Sequence, residues 1–307
     1  MSSTALSIAA NAATVSFARK HESHTAILNH GHHSPRDDKH PKGTVEKFKG
    51  RTPTKPDANP SAEKVLRSFN TWAFKREQPS DPQLMLQFIS QAIARKEPIK
   101  FVLYWGKGPR HEAGAPETQC LDFLANLASH VKGVYAPGAA IKLILTDTHA
   151  GLNGHSPDGI RRYFNDIENL AGQRGFETCW MGRLVEAAGS LAIAAPVDDI
   201  VSPETLSSLV ASAGKWYRGS GTPEDGALKY FRMNLIEQRV VERTFPDAIF
   251  VTFNGSGLRS IFPQQMPIFY MYSLRRGVGV KPWFLPSGSE KSELSADQAN
   301  PVPSDAA

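Results

Sequence analysis

Cysteine is almost absent from this 307-residue chain, Cys120 and Cys179 being the only two. A disulfide framework therefore does not hold the fold, and a reducing, cytoplasmic setting is expected. Long apolar runs are also missing. Even stretches such as Phe101 to Tyr104, and Ile141 to Leu145 with Lys142 inside it, fall far short of the roughly 20 residues needed to cross a bilayer, which disfavours a helical membrane span. The first 20 residues carry no acid, and Arg19-Lys20 follows an Ala/Ser-rich apolar run. Transit peptides share that composition, whereas a secretory signal places its charges ahead of the apolar stretch. A disordered tail explains the same residues. No Gly-x-Ser-x-Gly elbow, His-Glu-x-x-His helix, Cys-x-x-Cys pair, Walker sequence or dinucleotide Gly-x-Gly-x-x-Gly fingerprint stands in its expected context, which disfavours the enzyme classes they mark.

What is present divides the chain into three. Residues 1–60 are rich in Ser, Pro, Lys and His without hydrophobic period, too little apolar surface to offset the entropy of ordering, so a disordered tail is expected. This stretch holds nine Lys/Arg against five Asp/Glu, most of the chain's formal charge of +5, and six of its ten histidines. A basic arm touches nucleic acid or acidic surfaces through nonspecific electrostatics, and a histidine cluster binds transition metals adventitiously. No recognised nucleic-acid module accompanies it, so nucleic acid is not the expected partner. Residues 286–307 are Ser, Pro and acid-rich and read as a second disordered tail.

Between them, residues 61–285 alternate strand and helix signals with no internal linker. Ser61 and Asp81-Pro82 are helix starts ahead of apolar residues at helical spacing. Ile99 to Tyr104 and Ala140 to Leu145 are short, mostly apolar runs, each with one lysine, expected as buried strands. Helices are expected from Pro116 to Gly133, from near Pro157, from Pro203 to Tyr217 and from Gly226 to Arg243, and strands at Phe176 to Met181, Ala248 to Phe253 and Pro267 to Ser273. The pattern predicts an α/β fold, a Rossmann-like, largely parallel sheet with a mixed edge, flanked by helices.

In open α/β sheets ligands sit beyond the carboxyl ends of the strands, which selects three loops. The richest runs from Thr146 to Ser156, where Asp147, His149, Asn153 and His155 follow a buried strand. An aspartate there fixes an imidazole tautomer and the imidazole acts as base near neutral pH. Two alternatives remain: Asp147, His149 and His155 as metal ligands, or Asp147 bonded to backbone amides. In the loop Trp105 to Glu117, Lys107 and Arg110 are candidates to grip a phosphate or carboxylate, or simply solvated cations. In the third, Asn254 and Ser256 offer neutral donors and Arg259 a cation, while its glycines also suit a hairpin connection.

Several segments then look alike to a known family: Pro98-Ile99-Lys100-Phe101-Val102-Leu103, Pro116-Glu117, Val134-Tyr135-Ala136-Pro137-Gly138-Ala139, Thr146-Asp147, Tyr163, Phe245-Pro246-Asp247-Ala248-Ile249 and Lys281-Pro282-Trp283-Phe284. In this order they resemble the pyoverdine/dityrosine biosynthesis family, which includes isocyanide synthases. The resemblance implies a biosynthetic enzyme of secondary metabolism acting on the amino group of an amino acid or related small amine, with ribulose 5-phosphate as co-substrate and no other cofactor or metal. The matched residues make Asp147 and Tyr163 catalytic candidates and Glu117 a substrate-binding one; loop position adds His149, which is not part of the match, to the catalytic candidates and Lys107, Arg110, Asn254 and Ser256 to the substrate-binding ones. Where the family pattern reads Ile-Arg-Leu-Ser-Ile-His, this chain has Ile249-Phe250-Val251-Thr252-Phe253-Asn254, and the closing Thr-Pro-Trp-His becomes Lys281-Pro282-Trp283-Phe284. Those departures leave two alternatives: a non-catalytic binding or regulatory protein on the same scaffold, and a metal-dependent hydrolase.

Overall fold

The computed structural model describes residues 60–108, 110–189, 201–259, 261–262 and 265–271. Both expected tails, apart from Pro60, and the closing Lys281 to Phe284 lie outside them.

Five strands form the sheet: β1 (Ile99–Trp105), β2 (Ala139–Leu145), β3 (Glu177–Trp180), β4 (Ile249–Thr252) and β5 (Ile268–Tyr270). Their order is β3-β2-β1-β4-β5, and every pairing is parallel. The chain therefore builds outwards from β1 to one side, then crosses back to build outwards on the other.

Alternate residues of each strand enter different cores, as a period of two requires. Phe101, Leu103 and Trp105, with Ile141, Leu143, Leu145, Ile249 and Val251, face one side. There they meet α1 (Ala62–Phe69), α2 (Pro82–Arg95), α3 (Ala115–Lys132) and α5 (Pro157–Gly172). Val102, Ile144, Phe250 and Ile268 face the other, against α6 (Met181–Ala188) and α8 (Pro223–Thr244). Burial on both faces is why β1, β2 and β4 read as largely apolar runs. A smaller cluster joins α7 (Pro203–Trp216) to α8 through Leu209, Ala227 and Phe231.

Helix starts repeat one device, a polar cap followed by proline at the first helical position, where a missing N–H costs nothing. Asp81 accepts from the Leu84 amide at 2.8 Å, Ser156 from Gly159 at 3.1 Å and Ser202 from Thr205 at 3.2 Å. At α8, Thr222 and Asp225 cap each other's amides, and this capping box starts the helix one turn earlier than the expected Gly226.

Three local expectations need correction. No mixed edge exists among the described strands, since β5 is parallel to β4 and the antiparallel pairing is confined to an isolated Lys75–Met271 bridge. The connection from Gly255 to Gln265 is consequently a crossover containing a short helix α9 (Ser256–Arg259), not a hairpin. Finally, the expected polar loop after β2 is wound into α4 (Asp147–Leu152), whose His149, Ala150 and Leu152 are buried. A run of six residues is too short for helical periodicity to show.

Candidate active site

Because all five strands run the same way, their carboxyl ends share one edge of the sheet. β1 is the point where the order reverses, and a crevice is expected between it and β4. A cavity lies there. β1 contributes Tyr104, β2 leads into Thr146 and His149, and β4 brings Thr252 and Asn254. Tyr230 and Asn234 of α8 and Arg259 of α9 close it. About 30 Å³ is open to the centre of a water molecule, room for a water or two and no more.

The central pair is His149 and Glu237. Nε2 of His149 lies 2.5 Å from Oε2 of Glu237, and the Thr148 hydroxyl donates to Oε1 at 2.5 Å. Glu237 is wholly buried and His149 is 4% exposed. α4 makes this possible by presenting two successive side chains to one carboxylate on α8. With Nε2 donating to Glu237, the imidazole tautomer is fixed and Nδ1 becomes the ring's acceptor. Nδ1 is buried and has no hydrogen-bond partner among the described residues. Such a pair can act as general base toward a group placed in the cavity.

Two phenols border the imidazole, Tyr230 at 6.0 Å and Tyr104 at 6.5 Å between ring centroids. Burial pushes the Tyr230 phenol up to about 12, with Arg259 opposing and Glu237 adding to the shift. Burial also raises Tyr104, reinforced by Glu237. Both hydroxyls therefore keep their protons at neutral pH and are available as donors.

Arg259 is 7% exposed, its guanidinium 5.0 Å above the Phe250 ring and 5.6 Å from that of Tyr104. Stacking of this kind is a cation–π arrangement. Phe250 and Tyr104 themselves meet edge to face at 4.9 Å.

The other expected site residues divide. Asn254 lines the cavity. Asp147 does not orient His149; it accepts from the Gly182 amide at 2.8 Å, tying α4 to the start of α6. Burial raises its pKa, opposed by backbone amides of Gly182, Asp147 and Thr148. The packing there is close, since a Cβ on Gly182 would lie 2.7 Å from Asp147 Oδ2. Ser256 is exposed and donates to Glu77 at 2.5 Å, away from the cavity.

Lys107, Arg110, Glu117 and Tyr163 come together in a separate buried network. Arg110 pairs with Glu117, which also accepts from the Tyr163 hydroxyl at 3.1 Å and the Gly114 amide at 2.9 Å. Lys107 donates to the carbonyls of Arg110 at 2.7 Å and Gly108 at 3.2 Å. Burial lowers its pKa to about 8. Nearby His155 is lowered to about 4, by burial first and then by Lys107 and His111. Among the described residues no three His, Cys, Asp or Glu side chains converge as a metal site requires. None of the described helices is long and apolar enough to cross a membrane.

Glu237, Tyr230 and Asn234 are missing from the sequence reading. Glu237 follows Asn234 by three and Tyr230 by seven, so all three share one face of α8. The available signal was their position beside the buried Phe231, Val240 and Val241, where a solvated carboxylate would not stand.

No family model matches the chain, and no curated protein does. Among solved structures it is similar to the PvcA protein from Pseudomonas aeruginosa, with a TM-score of 0.55 and 19% identity over 73% of this chain and 87% of that one. At that identity the likeness is one of fold alone.

Proposed function

We propose that the chain is a biosynthetic enzyme of the isocyanide-synthase type, acting on the amino group of an amino acid or related small amine. The observation that carries this reading is the His149–Glu237 pair, whose Nδ1 is left as acceptor beside a cavity at the strand-order reversal. An ammonium must lose a proton before its nitrogen can attack carbon, and a histidine held by a carboxylate is suited to take it. Tyr104 and Tyr230 supply neutral donors, and Asn254 orients the substrate from the end of β4. The sequence resemblance and the fold shared with PvcA support the reading; ribulose 5-phosphate is the co-substrate that the resemblance implies.

The test is incubation of the full chain with aromatic amino acids and ribulose 5-phosphate, followed by mass spectrometry. A product that has gained one carbon and lost two hydrogens is expected, and it should vanish with His149→Ala and Glu237→Gln. Turnover that survives both substitutions would place the chemistry elsewhere.

A second reading is a ligand-binding protein without turnover. Phe250 favours it: the family pattern has arginine there, and this chain has a ring that is 1% exposed in the apolar core. Saturable ligand binding with no product from any amino acid tested would select this reading.

A further inference from the structure

We infer that Arg259 is the carboxylate-binding group of this cavity, and that the ligand it holds carries an apolar body beside that carboxylate. The inference rests on the cavity being the substrate site, and it does not depend on which reaction follows. Arg259 lines the cavity while 7% exposed. Among the described residues it forms no ion pair with a carboxylate, and its Nε is buried without a hydrogen-bond acceptor. Glu237 lies near the same two phenols, but His149 and Thr148 occupy both of its oxygens.

A buried guanidinium without an anion is costly, and such groups persist where they are paired or where function requires them. The Phe250 and Tyr104 rings, in edge-to-face contact with each other, hold this one in position from one side. They offer no acceptor to its edge, the edge that matches a planar carboxylate through two parallel hydrogen bonds.

The apolar body has a place on the opposite side. Tyr230 also lines a second cavity, walled by Leu152, Leu209, Ala213 and Ala227. That cavity is almost wholly apolar, and the Tyr230 ring is the wall shared by the two. Rotation of one side chain would join a polar pocket holding Arg259 to an apolar one, and neither is large enough alone for an amino acid.

The test compares benzoate with its neutral isostere benzamide by ligand-observed NMR titration of the full chain. Benzoate should bind the natural protein and benzamide should bind about tenfold more weakly or worse, since only the first completes the guanidinium. Arg259→Gln should abolish that preference, and its unfolding midpoint without ligand should match or exceed that of the natural chain. Equal binding of the two probes by the natural protein overturns the proposal, and that comparison needs no variant. Benzoate binding unchanged by Arg259→Gln, or a lowered midpoint marking a structural arginine, overturns it as well. Displacement of benzoate by an equal concentration of inorganic phosphate would overturn the carboxylate assignment. Neither probe has an aliphatic amine to convert, so a failed turnover assay and a failed binding assay are separate outcomes.

Discussion

Two buried arginines stand near the carboxyl edge of one parallel sheet, Arg110 after β1 and Arg259 after β4, and their surroundings differ in kind. Arg110 is paired with Glu117, which Tyr163 and the Gly114 amide also bind. Arg259 lies against two aromatic rings that touch each other, and has no carboxylate partner among the described residues. The first arrangement satisfies its charge within the fold. In the proposed reading, the second leaves its charge to a ligand. Buried ionisable groups are therefore informative about function according to what they lack.

The sharpest way to break the contrast is to disable the His149–Glu237 pair beside Arg259, the proposed proton-transfer group. His149→Ala should lower turnover by about 10²- to 10⁴-fold, the usual contribution of a general base, measured as initial rate at saturating amino acid. Glu237→Gln should follow it closely, and the two changes combined should cost little more than one, because the residues act as a unit.

On the Arg110 side the loss should appear in stability. Glu117→Ala strands a buried guanidinium and should cost about 3–5 kcal/mol in urea unfolding, whereas Arg259→Gln should cost nothing. Equal losses from both would erase the distinction between the two arginines.

The Lys107–His155 neighbourhood makes the comparison pH-dependent. Both groups have folded pKa values below their ordinary ones, about 8 against 10.5 and about 4 against 6.5. In each interval the unfolded chain holds a proton that the folded chain lacks, so stability increases with pH across it. Unfolding midpoints should therefore fall as pH drops from 6.5 toward 4, and rise from 8 toward 10. Lys107→Met should flatten the alkaline rise and His155→Asn the acid fall.

The smallest effect is expected at Asp147. Its replacement by Ala removes the acceptor of the Gly182 amide and should cost about 1 kcal/mol, without the loss of turnover expected at His149. A parallel loss of turnover would return the catalytic role to Asp147.

The layers of this fold were legible because its strands are buried on both faces and its helices open on cap-and-proline pairs. Phe101 to Tyr104 and Asp81-Pro82 each announce an element through local chemistry. What joins those elements is not local. Nothing in Ile268 to Tyr270 states that it pairs parallel to β4, and a glycine-bearing connection suits a hairpin as well as a crossover. The candidate site was legible in the same proportion. Its edge and its histidine followed from a position rule, but the carboxylate that holds His149 lies 88 residues along the chain on a long helix. Asp147, two residues away in sequence, was the nearer partner on paper. Helix α4 separates them by turning Asp147 toward α6 while His149 faces α8.

The cavity draws on two distant stretches of chain, residues 104–149 around β1 and β2 and residues 230–259 from α8 through α9. Neither stretch encloses it alone. A ligand gripping both would act as a strut across the sheet's reversal point, so its binding energy adds to global unfolding instead of to the stiffness of one loop. At a hundredfold excess over its dissociation constant such a ligand should add about 2.7 kcal/mol to unfolding. A thermal scan against small carboxylates would thus report on ligand binding independently of turnover.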